Sequence, residues 1–174
     1  MKLNFTYPEG ELSDYHHELD LTTATNTVTY KVGDTEYTRQ CIASNPDDVI
    51  AMHIKASRPE SITVELELQP LRNAEVVASG NQLIYTGNAE FEKHGRGGVL
   101  FEGRIAAEIK GGTIKADGKK LLIDKATEVL LLSDVRTNYK NTTFAGYDYQ
   151  QKCKETIEAA SKKSFKTLRN THVE

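Results

Sequence analysis

Histidines, cysteines and clustered acids are the side chains in this sequence that could do chemistry, and their spacing decides how much. His16, His17 and Glu18 stand in a row. On a strand, adjacent side chains point to opposite faces, so only His16 and Glu18 share one, and two ligands fall short of the four-coordinate shell that zinc takes. His53 and His94 lie far along the chain and would have to be brought in by the fold. Asp47 and Asp48 sit in the run Asn45-Pro46-Asp47-Asp48, where side chains bonding their own backbone in a turn account for both acids without calcium. No metal site and no cofactor is expected.

Nucleophilic catalysis needs a Ser or Cys beside a His that an acid orients. The chain has no Gly-x-Ser-x-Gly elbow, and Cys41 falls in an alternating strand, where a core thiol is the simpler account. His94-Gly95-Arg96-Gly97-Gly98 lacks both the lysine spacing of a phosphate loop and a following helix, so it reads as a strand connection. A hydrolytic carboxylate pair needs an acid in an apolar setting across a cleft; Glu65 and Glu67 alternate outward as solvated surface. A sugar-binding module presents aromatic platforms. Here there is no Trp, and the eight Tyr mostly follow strand alternation. Asn4-Phe5-Thr6 and Asn141-Thr142-Thr143 fit the glycosylation sequon, a match common by chance. No catalytic residue is expected in this chain.

What would position such groups is a succession of strands. Leu3, Phe5 and Tyr7 alternate before the turn at Pro8-Glu9-Gly10, Tyr15 to Leu21 is a second strand, and Val28, Tyr30 and Val32 line one face of a third. Gly33-Asp34 places Gly at the first central position of a type II′ hairpin, from which Tyr37 to Ala43 returns. Val49 to Ala56 follows. Arg58-Pro59-Glu60 then leads into Ile62 to Leu68, the cleanest alternation, with glutamates outward and aliphatics inward. Gly80-Asn81 and Asp117-Gly118 mark tight hairpins. Val99 to Ile109 is a long strand between Gly97-Gly98 and Gly111-Gly112, and Thr127 to Val135, the most continuously apolar, belongs at the centre of its sheet. About ten short strands without interleaved helices predict an all-β, antiparallel two-sheet sandwich.

From about Tyr147 the period changes. Tyr149, Cys153, Ile157 and Ala160, then Ser164, Phe165 and Leu168, fall at helical spacing. Gly146 precedes them and Asp148 is placed to cap the first turn, while Lys162, Lys163, Lys166 and Arg169 gather where the macrodipole favours cations. That accounts for the basic run without a membrane or calmodulin-like partner. The expected organisation is a β-sandwich over 1–146 and a helical linker over 147–174. Cys41 and Cys153, on a strand and a helix, are expected as two free, partly buried thiols.

Composition fits a folded domain: 27% charged, 38% hydrophobic and a net charge of −3 over 174 residues. No Lys/Arg concentration in the body of the chain supplies the counterion release that drives nucleic-acid binding. The longest apolar run, Val129 to Leu132, is far short of the roughly 20 residues that span a bilayer. The first five residues alternate and form no signal-peptide core. A strand that starts almost at Met1 and a tail that ends without a stop signal lead to the expectation of a piece from a longer polypeptide.

Several stretches together resemble the N-terminal β domain of glycoside hydrolase family 95, the α-L-fucosidase type. They are Tyr15 to Ala24, Val28-Thr29-Tyr30, Tyr37 to Ile50, Leu100 to Arg104 followed by Gly111-Gly112, and Ala126 to Leu132, in that order. Lys163 to Glu174 looks like the linker into a catalytic domain. The resemblance implies a β super-sandwich packed against an (α/α)₆ barrel, and hydrolysis of terminal α-L-fucosides with inversion and without a metal. It also implies that the acid Glu, the base Asp and its assisting Asn residues lie on the barrel, so none maps onto this chain. The partners it implies are that barrel and the parent enzyme's glycan substrate, in an exported parent. An isolated sandwich would expose an apolar patch and favour self-association. A stand-alone carbohydrate-binding sandwich, a structural interaction module, and the same domain from an α-galactosidase-like enzyme are the other readings the residues leave open.

Overall fold

The alternation read from the sequence resolves into two antiparallel sheets in the computed structural model of the protein, which describes residues 1–70, 74–89, 98–139 and 148–174. In chain order the strands are β1 (Lys2–Thr6), β2 (Leu12–Asp20), β3 (Thr25–Val32), β4 (Thr35–Ser44), β5 (Val49–Ala56), β6 (Ile62–Glu67), β7 (Ala74–Ser79), β8 (Gln82–Ala89), β9 (Val99–Lys110), β10 (Thr113–Asp117), β11 (Lys120–Ala126) and β12 (Glu128–Thr137). The small sheet runs β1-β6-β11-β10 and the large one β2-β3-β4-β5-β12-β9-β8-β7.

The hairpins form where glycine permits. Gly33, Gly80 and Gly118 each open a two-residue loop with φ of 56°, 58° and 59°. A positive φ at the first central residue suits the right-handed twist of the flanking strands. The chain changes sheets between β9 and β10 at Gly111-Gly112, where a Cβ on Gly112 would stand 2.2 Å from the Asp124 carbonyl oxygen. Only glycine fits that crossing.

One core lies between the sheets. Ile62, Val64 and Leu66 of β6, with Leu121 and Ile123 of β11, face Tyr30, Tyr37, Ile54, Ile105, Val129 and Leu131 of the large sheet. Each aliphatic so buried contributes roughly 1.5–3 kcal/mol. The outer face of β6 is polar, as its alternation predicts: Glu65 accepts from Lys120 at 2.9 Å and from Asn4 at 3.1 Å. β12 lies between β5 and β9 in mid-sheet, consistent with its apolar run.

A second core lies on the opposite face of the large sheet, under α1 (Tyr149–Ala160) and α2 (Phe165–Val173). The single helical stretch expected from about Tyr147 is thus two helices. Lys162 and Lys163 fall in the break between them, and Ser164 starts the second helix by accepting from Thr167 N–H at 3.1 Å. A Ser at this position satisfies an amide that the preceding helix cannot. Asp148 caps α1 as its position predicts, accepting from Gln151 N–H at 2.9 Å. The expected boundary at 146/147 lies outside the described residues.

The second strand also departs from expectation. It begins at Leu12, with a register shift between Ser13 and His16, and all nine of its residues are exposed. It is the edge of the large sheet, so alternation there does not report a core.

Candidate functional site

The residues singled out for chemistry are not brought together. His16 Nε2 lies 3.4 Å from Glu18 Oε2, and both are exposed on β2. His17 bonds Asn26 at 2.8 Å on the other face of that strand. His53 is on β5, stacked on Phe165 with ring centroids 4.9 Å apart and bonded to Glu128 at 3.3 Å. His94 and Asn141 lie outside the described residues. No group of three His, Cys, Asp or Glu able to hold a metal occurs among the described residues. Cys41 and Cys153 are both free thiols. They serve opposite faces of the large sheet: Cys41 is in register with Met52, which packs toward the sandwich core, and Cys153 sits in α1. Burial pushes the Cys153 thiol up to about 12, so it is an inert core group and no nucleophile. Tyr30 and Tyr37 stack on each other inside the sandwich, with Tyr7 edge-on to both. Tyr30 and Tyr37 fill the core and offer no platform for a sugar, while Tyr7 covers them at the edge of the sandwich.

The buried charges are elsewhere, on the helix-facing side of β9 and β12. Glu102 and Arg104 on β9 bond each other at 2.7 Å; Asp134 and Arg136 on β12 do so at 2.8 Å. Asp134 is in register with Arg104 and Arg136 with Glu102, so each charge also faces an opposite charge across the strand pair. The side chains of Glu102 and Asp134 are only 5% and 6% exposed. Carboxylates this deep are tolerated when paired and hydrogen-bonded. Helix α1 supplies the lid: Gln150 donates to Glu102 at 3.0 Å, the Cys153 thiol donates to the Asp134 carbonyl at 3.6 Å, and Arg136 reaches Thr156 at 3.5 Å. Sequence reasoning passed over this quartet. Its signal was Glu102-Gly103-Arg104 and Asp134-Val135-Arg136, two acid-x-Arg steps in otherwise apolar strands.

A second clamp holds the junction of the helices. The 45–48 turn was expected to bond its own backbone, but the Asp47 carboxylate faces outward from the turn. It accepts from Ser44 at 2.8 Å, from Thr171 of α2 at 3.0 Å and from Lys163 at the break. Burial alone would raise its pKa, but these hydrogen bonds prevail and hold it below the usual carboxylate range. The next residue, Asp48, pairs with Arg136 at 3.3 Å, which couples this turn to the quartet. The best-built polar site therefore seats two helices on a sheet. Among the described residues it contains no nucleophile with a base, and no helix is long and apolar enough to cross a membrane.

Comparison with known proteins places the fold in a family. Residues 1–142 match the sequence pattern of the glycosyl hydrolase family 65 N-terminal domain. The chain belongs to this family. The family 65 N-terminal domain is the shared feature, and the resemblance read from the residues pointed to the number 95. The curated relatives carry the fucosidase name: 27% identity to alpha-L-fucosidase 2 of Arabidopsis thaliana over 92% of this chain, and 28% to a provisionally named alpha-fucosidase A of Aspergillus niger over 98%. The chain spans 22% and 23% of those relatives. Among solved structures, a provisionally named kojibiose phosphorylase from the human microbiome superposes with a TM-score of 0.66 at 12% identity, covering 99% of this chain and 26% of that one. This likeness concerns the fold alone. The chain is an N-terminal β domain of the glycoside hydrolase kind.

Proposed function

We propose that this domain is the non-catalytic support of an α-L-fucosidase of the family 95 type, bracing and shaping the cleft of a helical catalytic domain that follows it. The observation that carries the proposal is the site just described: its deepest charges are spent on fixing α1 and α2 to the sheet, and among the described residues no reactive constellation accompanies them. The matches to the two fucosidase relatives take in nearly all of this chain but less than a quarter of each relative, which leaves most of their length outside this domain and supports the same division of labour. In this reading α2 leads toward the catalytic domain, the general acid and base act there on the glycan, and the whole enzyme is exported to meet its substrate. A rigid seat matters because catalytic groups displaced by even about 1 Å lose much of their rate advantage.

The test uses the longer polypeptide that the reading requires. Loosening the seat with Glu102→Ala should lower the temperature at which fucosidase activity is lost while leaving the pH-rate profile of the surviving enzyme in place. A change in the profile's limbs would mean that Glu102 acts in the reaction and that the domain is not merely a support.

A further inference from the structure

Between α2 and strands β4 and β5, on the helix-facing side of the large sheet, lies a cleft of about 500 Å³. Its walls carry polar and cationic side chains: Thr38 and Gln40 from β4, Lys55 from β5, and Lys166, Arg169 and Asn170 from α2. Phe165 and His53, stacked on each other, line it as well. None of Lys55, Lys166 and Arg169 forms an ion pair among the described residues. One carboxylate, Glu128, shares the wall, in register with Lys55; it bonds His53 at 3.3 Å and Lys110, outside the cleft, at 3.5 Å. Arg169 is itself only partly buried, although its Nε is covered and has no hydrogen-bond partner. Ser164, which caps α2 by accepting from Thr167 N–H, also lines this space.

We propose that this cleft binds a small ligand bearing an oxyanion, which is a phosphate, sulfate or carboxylate group held by Lys55, Lys166 and Arg169. Three cations that form no ion pair among the described residues, gathered on one cleft, favour that chemistry. Thr38, Gln40 and Asn170 supply neutral donors and acceptors for a hydroxylated body, and the volume lies in the range of small-molecule pockets. By bridging α2 to β4 and β5, the bound anion would tighten the seat of the helices. The inference uses only residues of this chain and stands whether or not the fucosidase reading does.

Calorimetric titration of the 174-residue chain with inorganic phosphate, sulfate and acetate at low ionic strength tests it and separates the three sources of the group. Saturable one-to-one binding of at least one anion is expected, weakening as sodium chloride is added. Lys55→Glu with Lys166→Glu, both at exposed positions, should weaken it about tenfold or more with the circular dichroism unchanged, whereas Lys162→Glu, exposed and outside the cleft, should leave it in place. On the unaltered chain, the Arg169 Nε–H resonance should shift with the same saturation curve. Absence of saturable binding, a Lys162→Glu loss as large as that of the double variant, or an Arg169 resonance unmoved at saturation would overturn the proposal.

Discussion

Arg136 is held by Asp134 at 2.8 Å and again by Asp48 at 3.3 Å, whereas among the described residues Arg104 has one ion pair, with Glu102 at 2.7 Å, and a hydrogen bond to Gln82 at 3.5 Å, with Asp134 opposite it in register. Removing one partner of a buried pair costs about 3–5 kcal/mol, because the other charge is left without compensation. Glu102→Ala should therefore lower the unfolding free energy by about 3 kcal/mol or more. Asp134→Ala should cost less, since Arg136 keeps Asp48. Urea denaturation of the two variants measures the difference. Equal losses, or losses near the roughly 1 kcal/mol ceiling of exposed pairs, would contradict the quartet's role. The types of these residues were visible in the sequence, but their burial was not. The cover comes from Gln150, Cys153 and Thr156, and no spacing rule relates a strand to a helix that lies across it from another part of the chain.

At the scale of elements, Asp47 links the break between α1 and α2 to the 45–48 turn. Its pKa is depressed in the folded state, so its contribution is present above the unfolded pKa and is lost as pH falls through the folded one. Acidification below about pH 4 should free α2 before the sheets open. Asp47→Asn should have the same effect at neutral pH, because the amide cannot neutralise Lys163. Hydrogen exchange of the α2 amides reports both, and protection of α2 unchanged in the variant would contradict the clamp. Strands and hairpins were the most legible part of the sequence, because period-2 alternation and glycine at positive φ are local signals. The helix break was less so: Ser164, Phe165 and Leu168 continue an apolar spacing across it, and only the capping role of Ser164 marks the restart. For β2, Tyr15 and Leu19 look like core residues in the sequence yet are 61% and 58% exposed, since nothing local tells an edge strand from a central one.

For the molecule as a whole, β2 is the surface most at odds with an isolated existence. Leu12, Tyr15 and Leu19 are exposed on a strand with one free edge, which suits it for pairing with another chain. In the isolated domain, light scattering after size exclusion should show dimers growing with concentration, and Leu19→Lys should return the chain to monomer. A strict monomer at every concentration would remove β2 from consideration as a contact surface. The central claim is that this domain supports chemistry it does not perform, and the most direct measurement is release of 4-nitrophenol from 4-nitrophenyl α-L-fucoside by the purified 174-residue chain. The account predicts a rate no higher than that of buffer. Steady turnover that follows the protein through purification and vanishes on substitution of a single acid in this chain would contradict it.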